Sequence, residues 1–203
     1  MKKVALIAIL SGIILAIVGI FWYQEMQYLM PTPMPVGYKV VRPEEIIQYD
    51  TILLPQQHDK PKLLHFFNPG CPCSRFNLKH FHALNKDYSD KVDFYVVVDS
   101  EQQIEPTKGL IDSQVTIVVD RGKKLAQACG VYSTPQAAII QSSNGLYFRG
   151  NYNRSRYCTN KDSNFVQMAL DSLVAGKNPP TFNELATNSY GCSIPTANGS
   201  AKQ

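Results

Sequence analysis

The feature that most limits what this chain can become is a break in an apolar run. Leu63-Leu64-His65-Phe66-Phe67 is followed by Asn68-Pro69-Gly70 and then by Cys71-Pro72-Cys73-Ser74-Arg75. A short, aromatic-rich apolar run suits a strand buried on both faces, and Pro-Gly cannot prolong it. Pro72 then falls where a first helical position belongs, because its missing N–H is one that a helix N-terminus leaves unpaired anyway. The spacing therefore predicts strand, turn, cysteine, helix. At a helix N-terminus, backbone N–H groups and the dipole favour thiolate over thiol, drawing the pKa from ~8.5 into the range of about 3.5–7.5. Arg75 adds a positive charge one turn on. The alternative is a pair of inert or structurally bridged thiols, but an inert cysteine is usually buried in an apolar run and this pair follows a turn.

Residues 4–23 carry no charge, and ~20 apolar residues are what a bilayer core requires of a helix. Lys2 and Lys3 on the cytoplasmic side, with Trp22 and Tyr23 at the far interface, would put the rest of the chain outside. A cleaved export signal has the same basic start, but the run is longer than a signal core and no small-x-small site follows it. Residues 1–23 are read as an uncleaved anchor. Pro31, Pro33, Pro35 and Gly37 make 24–44 a stiff spacer without chemistry. Residues 45–178 form one domain, and 179–203 a tail carrying Cys192. Without Lys2 and Lys3, the 20 basic residues fall to 18 against 16 acidic ones. That balance, with no basic run among aromatics, gives no case for nucleic acid.

Along the domain, 74–86 has Phe76, Leu78, Phe81 and Leu84 at helical spacing. Residues 92–99 are β-branched and almost continuously apolar, a strand covered on both sides. Strand, helix, strand at this spacing implies a right-handed parallel crossover. A polar turn or helix over 101–115 precedes a short strand at 115–120 and a helix at 122–129 that Gly130 stops. Another strand, 137–140, turns back through Ser142-Ser143-Asn144-Gly145 into 146–152. A helix over 164–175 has Phe165, Met168, Ala169 and Leu173 on one face.

Strand, turn, Cys-x-x-Ser, helix, followed much later by Val131-Tyr132-Ser133-Thr134-Pro135 and another apolar strand, resembles the thioredoxin superfamily. More narrowly it resembles bacterial membrane-anchored thioredoxin-like proteins, among them a family whose function is not established. The likeness covers roughly residues 45–175. It implies an α/β fold with a central mixed sheet flanked by helices. By position, Cys71 matches the attacking cysteine, Ser74 stands at the usual second cysteine, and Pro135 matches the cis-proline facing the site. The backbone of Thr134 would then pair with an extended substrate. Two departures stand out. One residue instead of two separates Cys71 from Cys73, and His65 stands where thioredoxins place a buried acid.

The chemistry so implied is thiol–disulfide exchange on exported protein thiols or disulfides, with a redox partner protein and no cofactor besides the cysteines. Cys71 attacks, and Cys73 is the first candidate to resolve the mixed disulfide, through a tight ring that would be easy to reduce. If Cys73 cannot turn back, the protein is a monothiol enzyme with Ser74 in second position. Five cysteines leave one over. Cys129, among Leu125, Ala126 and Ala128, is the spectator. Cys158 and Cys192 are candidates for a bridge pinning the tail, or one of them resolves Cys71. Tyr190-Gly191-Cys192-Ser193-Ile194 resembles the C-terminal segment of some redoxin-like proteins, which lies back over the domain.

Three rivals remain. Cys71 and Cys73 are soft ligands suited to Cu(I), which His65, His80 or His82 would complete. Copper chaperones of this fold, however, space their cysteines further apart and carry a late histidine. A peroxidase needs Thr or Ser and Pro where Asn68 and Leu64 stand. A noncatalytic adaptor would keep only the fold. The sequence reading is an oxidoreductase anchored by a single pass in the inner (cytoplasmic) membrane, N-terminus in, with its domain in the periplasm or outside and no metal.

Overall fold

The computed structural model describes residues 2–49, 53–54, 60–155 and 158–194. It divides into two units, Met1–Met30 and Pro31–Gln203. The first is helix α1 (Lys2–Leu29), which runs past the expected end at Tyr23. Its large apolar side chains from Val4 to Tyr23 are exposed. Within it, Lys2–Met26 is long and apolar enough to cross a membrane.

The second unit is built on β1 (Lys62–Phe66), followed by α2 (Pro72–Tyr88), β2 (Asp93–Val98), α3 (Ile104–Lys108), β3 (Thr116–Val119) and α4 (Lys124–Ala128). Next come β4 (Ser133–Thr134), β5 (Gln136–Ile140), β6 (Leu146–Gly150), α5 (Phe165–Val174), α6 (Glu184–Thr187) and β7 (Cys192–Ser193). Five strands form one sheet in the order β3-β2-β1-β5-β6. The pairs β1–β2 and β2–β3 are parallel, while β1–β5 and β5–β6 are antiparallel. This mixed sheet flanked by helices is the α/β architecture expected above.

Every residue of β1 is buried because helices cover both faces. Leu63 and Phe67 join Phe81 and Leu84 of α2 and Val166, Ala169 and Leu170 of α5 in one cluster. Leu64 and Phe66, one residue out of phase, join Leu125 and Ala126 of α4 and Val131 in the other. Each fully buried Leu or Phe contributes about 1.5–3 kcal/mol, so the central strand is firmly held. Its carboxyl end is therefore a rigid platform for the turn that carries Cys71.

The stretch expected to be a spacer belongs to this second unit, and the tail lies back over the domain, as the resemblance implies. Thr32 is buried and its N–H donates to the Ser189 carbonyl (2.7 Å). The Tyr38 hydroxyl donates to the Gly130 carbonyl (2.8 Å), and its ring meets Tyr132 edge-on. Helix α6 lies against the end of β6. The Asn151 side chain donates to the carbonyls of Leu185 and Asn188, and a Cβ on Gly150 would run into the Ala186 carbonyl. These contacts return the tail to the thiol site.

Candidate thiol–disulfide site

The turn between β1 and α2 is made by Asn68. Its side-chain oxygen accepts from Gly70 N–H (2.8 Å), and its carbonyl from Cys71 N–H (3.0 Å). Such Asx turns are what asparagine offers where a chain must reverse after a strand. Cys71 is then the N-cap of α2 with extended backbone, and Pro72 takes the first helical position. Arg75 Nε donates to the Pro69 carbonyl (2.8 Å), and the Ser74 hydroxyl accepts from Asn68 N–H (3.4 Å). Ser74 and Arg75 thus brace the turn that presents Cys71.

Cys71 is disulfide-bonded to Cys192, their Cα atoms 6.1 Å apart, within the span a disulfide bridges. The Thr134 carbonyl oxygen lies 3.6 Å from Cys71 Sγ, and the Thr134–Pro135 peptide is cis. The tail passes here as strand β7, antiparallel to β4, with Thr134 opposite Cys192 and Ser133 opposite Ser193. Ile194 N–H donates to the Tyr132 carbonyl (2.9 Å) and Ser189 N–H to the Tyr132 hydroxyl (3.2 Å). The Thr32 hydroxyl donates to the Gly191 carbonyl (3.1 Å), and the hydroxyls of Ser133 and Ser189 are hydrogen-bonded.

Two expected cysteine pairings are not those of this structure. Cys73 does not close on Cys71: it is the second residue of α2, and side chains two apart on a helix do not face each other. It points into the interior and is fully buried. Nor does Cys158 bridge Cys192. Its sulfur accepts from Asn77 Nδ2 (3.1 Å), and burial pushes its thiol up to about 12. Cys129 is fully buried as well, and burial raises its thiol further. The Cys71–Cys192 pairing had one legible signal, the Gly-Cys-x-Ile tail, which marks a returning segment without saying which thiol it meets.

His65 lies inside the core. Its ring stacks on Phe81 (centroids 4.5 Å apart), and Nδ1 is 2.8 Å from the Tyr152 hydroxyl. Burial lowers its pKa from 6.5 to about 3, so the imidazole is neutral at ordinary pH. Below pH ~6.5 the unfolded chain takes a proton that the folded chain refuses, so His65 lowers stability as pH falls from there toward 3. Between pH 7 and pH 5 the loss from this group is roughly 2 kcal/mol. Urea midpoints of the full chain in detergent at the two pH values should show it, and His65→Gln should flatten the difference.

His82 Nε2 is 3.1 Å from the Leu110 carbonyl, and burial lowers the pKa of His80. Among the described residues no three His, Cys, Asp or Glu side chains are grouped to hold a metal ion. Cys71, Cys73, His65, His80 and His82 are thus not gathered into one ligand set.

A cysteine at the N-cap of the helix that follows the central strand, facing a cis-proline just before β5, is the arrangement of a thioredoxin-like fold. The family model described as a domain of unknown function, DUF6436, matches residues 43–194, and the chain belongs to that family. No curated protein matches it by sequence. Among solved structures, it is similar to an uncharacterized conserved protein from Geobacillus kaustophilus, with 20% identity and a TM-score of 0.59 over 83% of this chain and 100% of that one. A hypothetical protein from Sinorhizobium meliloti 1021 aligns at 19% identity and a TM-score of 0.56, covering 70% of this chain and 82% of the other. The thioredoxin domain of a thiol-disulfide oxidoreductase from Bacteroides vulgatus aligns at 16% and 0.47, covering 59% and 96%. The first two likenesses concern the fold alone.

Proposed function

We propose that this protein is a membrane-anchored thiol–disulfide oxidoreductase whose redox couple is Cys71 and Cys192. The observation that carries the reading is the disulfide itself, made by the one cysteine that caps a helix N-terminus. A cysteine so placed is a good nucleophile when reduced and a good leaving group when attacked. Burial works against the thiolates of Cys129 and Cys158.

In the reducing direction the Cys71 thiolate attacks one sulfur of a substrate disulfide, and the other substrate sulfur leaves as a thiolate. The Cys192 thiolate then attacks Cys71 Sγ, the Cys71–Cys192 bond forms, and the second substrate sulfur departs. Two electrons have passed to the substrate, and a partner dithiol restores the couple by the same exchange in reverse. The oxidising direction runs these steps backward. The two thiols suffice, without a cofactor or metal. Helix α1, with Lys2 and Lys3 before its apolar run, is read as an anchor that leaves the second unit outside the cytoplasm, in a periplasm, where substrates are exported proteins.

Peptide mapping of the full chain in detergent, oxidised and reduced, tests the couple together with Cys73→Ser and Cys192→Ser. Wild type and Cys73→Ser should give the 71–192 bridge and titrate reversibly against glutathione. Cys192→Ser should stop at a mixed disulfide on Cys71. A 71–73 bridge in wild type, or a 71–192 bridge that does not titrate, overturns the reading.

A further inference from the structure

We propose that Cys73 and Cys158 are a second disulfide couple, placed between α2 and the chain before α5, whose bond holds the tail beside Cys71. Its effect on Cys192 rests on the Cys71–Cys192 couple proposed above; the bond itself does not.

Five cysteines and one disulfide leave three thiols, Cys73, Cys129 and Cys158. The sheet divides them. Cys129 is packed with Leu125 and Ala126 in the cluster on the α4 side. Cys73 belongs to the buried stripe of α2 with Asn77, Phe81 and Leu84, and Cys158 packs against the cluster that contains Phe81 and Leu84. Of the three, these two share a side. Asn77, one turn after Cys73, donates from Nδ2 to Cys158 Sγ (3.1 Å), so the Cys158 sulfur reaches the stripe that Cys73 occupies. Asn77 Oδ1 is buried and takes no hydrogen bond, which leaves this polar contact only half satisfied while both cysteines are thiols. Tyr190 faces the same place. Burial raises its hydroxyl, and the nearby Cys158 and then Cys73 raise it further.

Cys158 is the partner with cause to move. Its φ of +52° is left-handed, a conformation that costs a side-chain-bearing residue energy. It is half-buried, whereas Cys73 is fully enclosed, so it takes the first step. The Cys158 thiolate attacks one sulfur of a low-molecular-weight disulfide such as oxidised glutathione, and the other sulfur leaves as a thiolate. The Cys73 thiolate then attacks Cys158 Sγ, the 73–158 bond forms, and the second small thiolate departs. Two electrons and the two cysteine protons end on two molecules of small thiol. Burial, which pushes the Cys158 thiol up to about 12, makes this exchange slow and keeps the pair out of the substrate cycle.

The bond acts on the first couple through Tyr190. The Ser155 carbonyl accepts from both Cys158 N–H (3.2 Å) and the Tyr190 hydroxyl (3.0 Å), and the Asn153 carbonyl accepts from that hydroxyl too (3.0 Å). Tyr190 stands two residues before Cys192, and Cys73 two residues after Cys71. Tying Cys158 to Cys73 therefore ties the segment that grips Tyr190 to the helix that carries Cys71. Cys192 then stays near Cys71 after their own bond is reduced, and the two thiols close at a higher effective concentration.

Incubation of the full chain in detergent with oxidised glutathione, followed by thiol counting and peptide mapping, tests the bond. The count should fall from three thiols to one, Cys129, with a 73–158 bridge in the map. Three surviving thiols, or Cys158 left as a glutathione adduct beside an unreacted Cys73, would overturn the proposal. The second measurement is the equilibrium of the 71–192 couple with glutathione, before and after the 73–158 bond is formed. The bond should favour the 71–192 disulfide about tenfold, and Cys158→Ala given the same treatment should lack that gain. An equilibrium that the bond leaves unchanged would also overturn it. Absence of the 71–192 bridge in the same maps reads separately, as failure of the first couple.

Discussion

Cys71→Ser is expected to lower the rate of protein disulfide exchange by on the order of 10³-fold or more, the scale on which covalent catalysis falls when its nucleophile is removed. The reason lies in how the five cysteines are placed. Cys129 and Cys158 are disfavoured as thiolates by burial, and Cys73 is enclosed in the face of α2 turned to the interior. Cys192 is half-buried and has no helix N-terminus behind it, so it is the weaker nucleophile at neutral pH. Serine would keep the turn, since Asn68 holds it through backbone groups, and the fold should survive. Insulin disulfide reduction driven by dithiothreitol gives the rate, and far-ultraviolet circular dichroism checks the fold. Retention of a tenth of the activity or more would mean that another thiol does the work.

The second large effect is on stability. The Cys71–Cys192 bond joins residues 121 apart, and closing a loop of that length removes about 5 kcal/mol of unfolded-chain entropy in the simple model, with about 2–5 kcal/mol lost when a native disulfide is removed. Against a typical total of about 5–15 kcal/mol, Cys192→Ser should shift the urea midpoint well below that of the oxidised wild type, with a somewhat larger m-value because the unfolded chain loses its cross-link. The wild type in reductant should follow the variant. The same free energy bears on function, because stabilisation of the folded chain by its disulfide lowers the reduction potential by ~30 mV for every 1.4 kcal/mol. A loss below about 1 kcal/mol would therefore indicate a couple poised to oxidise others, and a loss near the ceiling one that holds its disulfide firmly.

Much of the sheet was legible because its signals are local. The run at 63–67 and the β-branched run at 92–99 became β1 and β2 with ends shifted by one residue. Helix α2 started at Pro72, and Gly130 ended the turn after α4 with φ +68°, as a left-handed stop should. The histidine in β1 was harder. His65 stands in the sequence where thioredoxins place a buried acid, but its stacking on Phe81 and its bond to Tyr152 depend on α2 and on the chain after β6, which no window around residue 65 contains. The short strands β4 and β7 were not predicted at all. Two residues each carry no periodicity, and they exist only because they pair with one another.

The cysteines mark the same division. That Cys71 would stand at a helix N-terminus followed from Pro-Gly, Pro72 and the apolar run before them, because turns and helix starts are decided by neighbours in the chain. So did the presence of a membrane-competent helix, which length and composition alone define. Which sulfur Cys71 would meet was a matter of tertiary structure. One-residue spacing turns Cys73 away, while α6, Asn151 and Thr32 fold the tail back and lay Cys192 along β4. Bringing together residues so far apart takes the packed core as its scaffold, and no local pattern in the sequence encodes it.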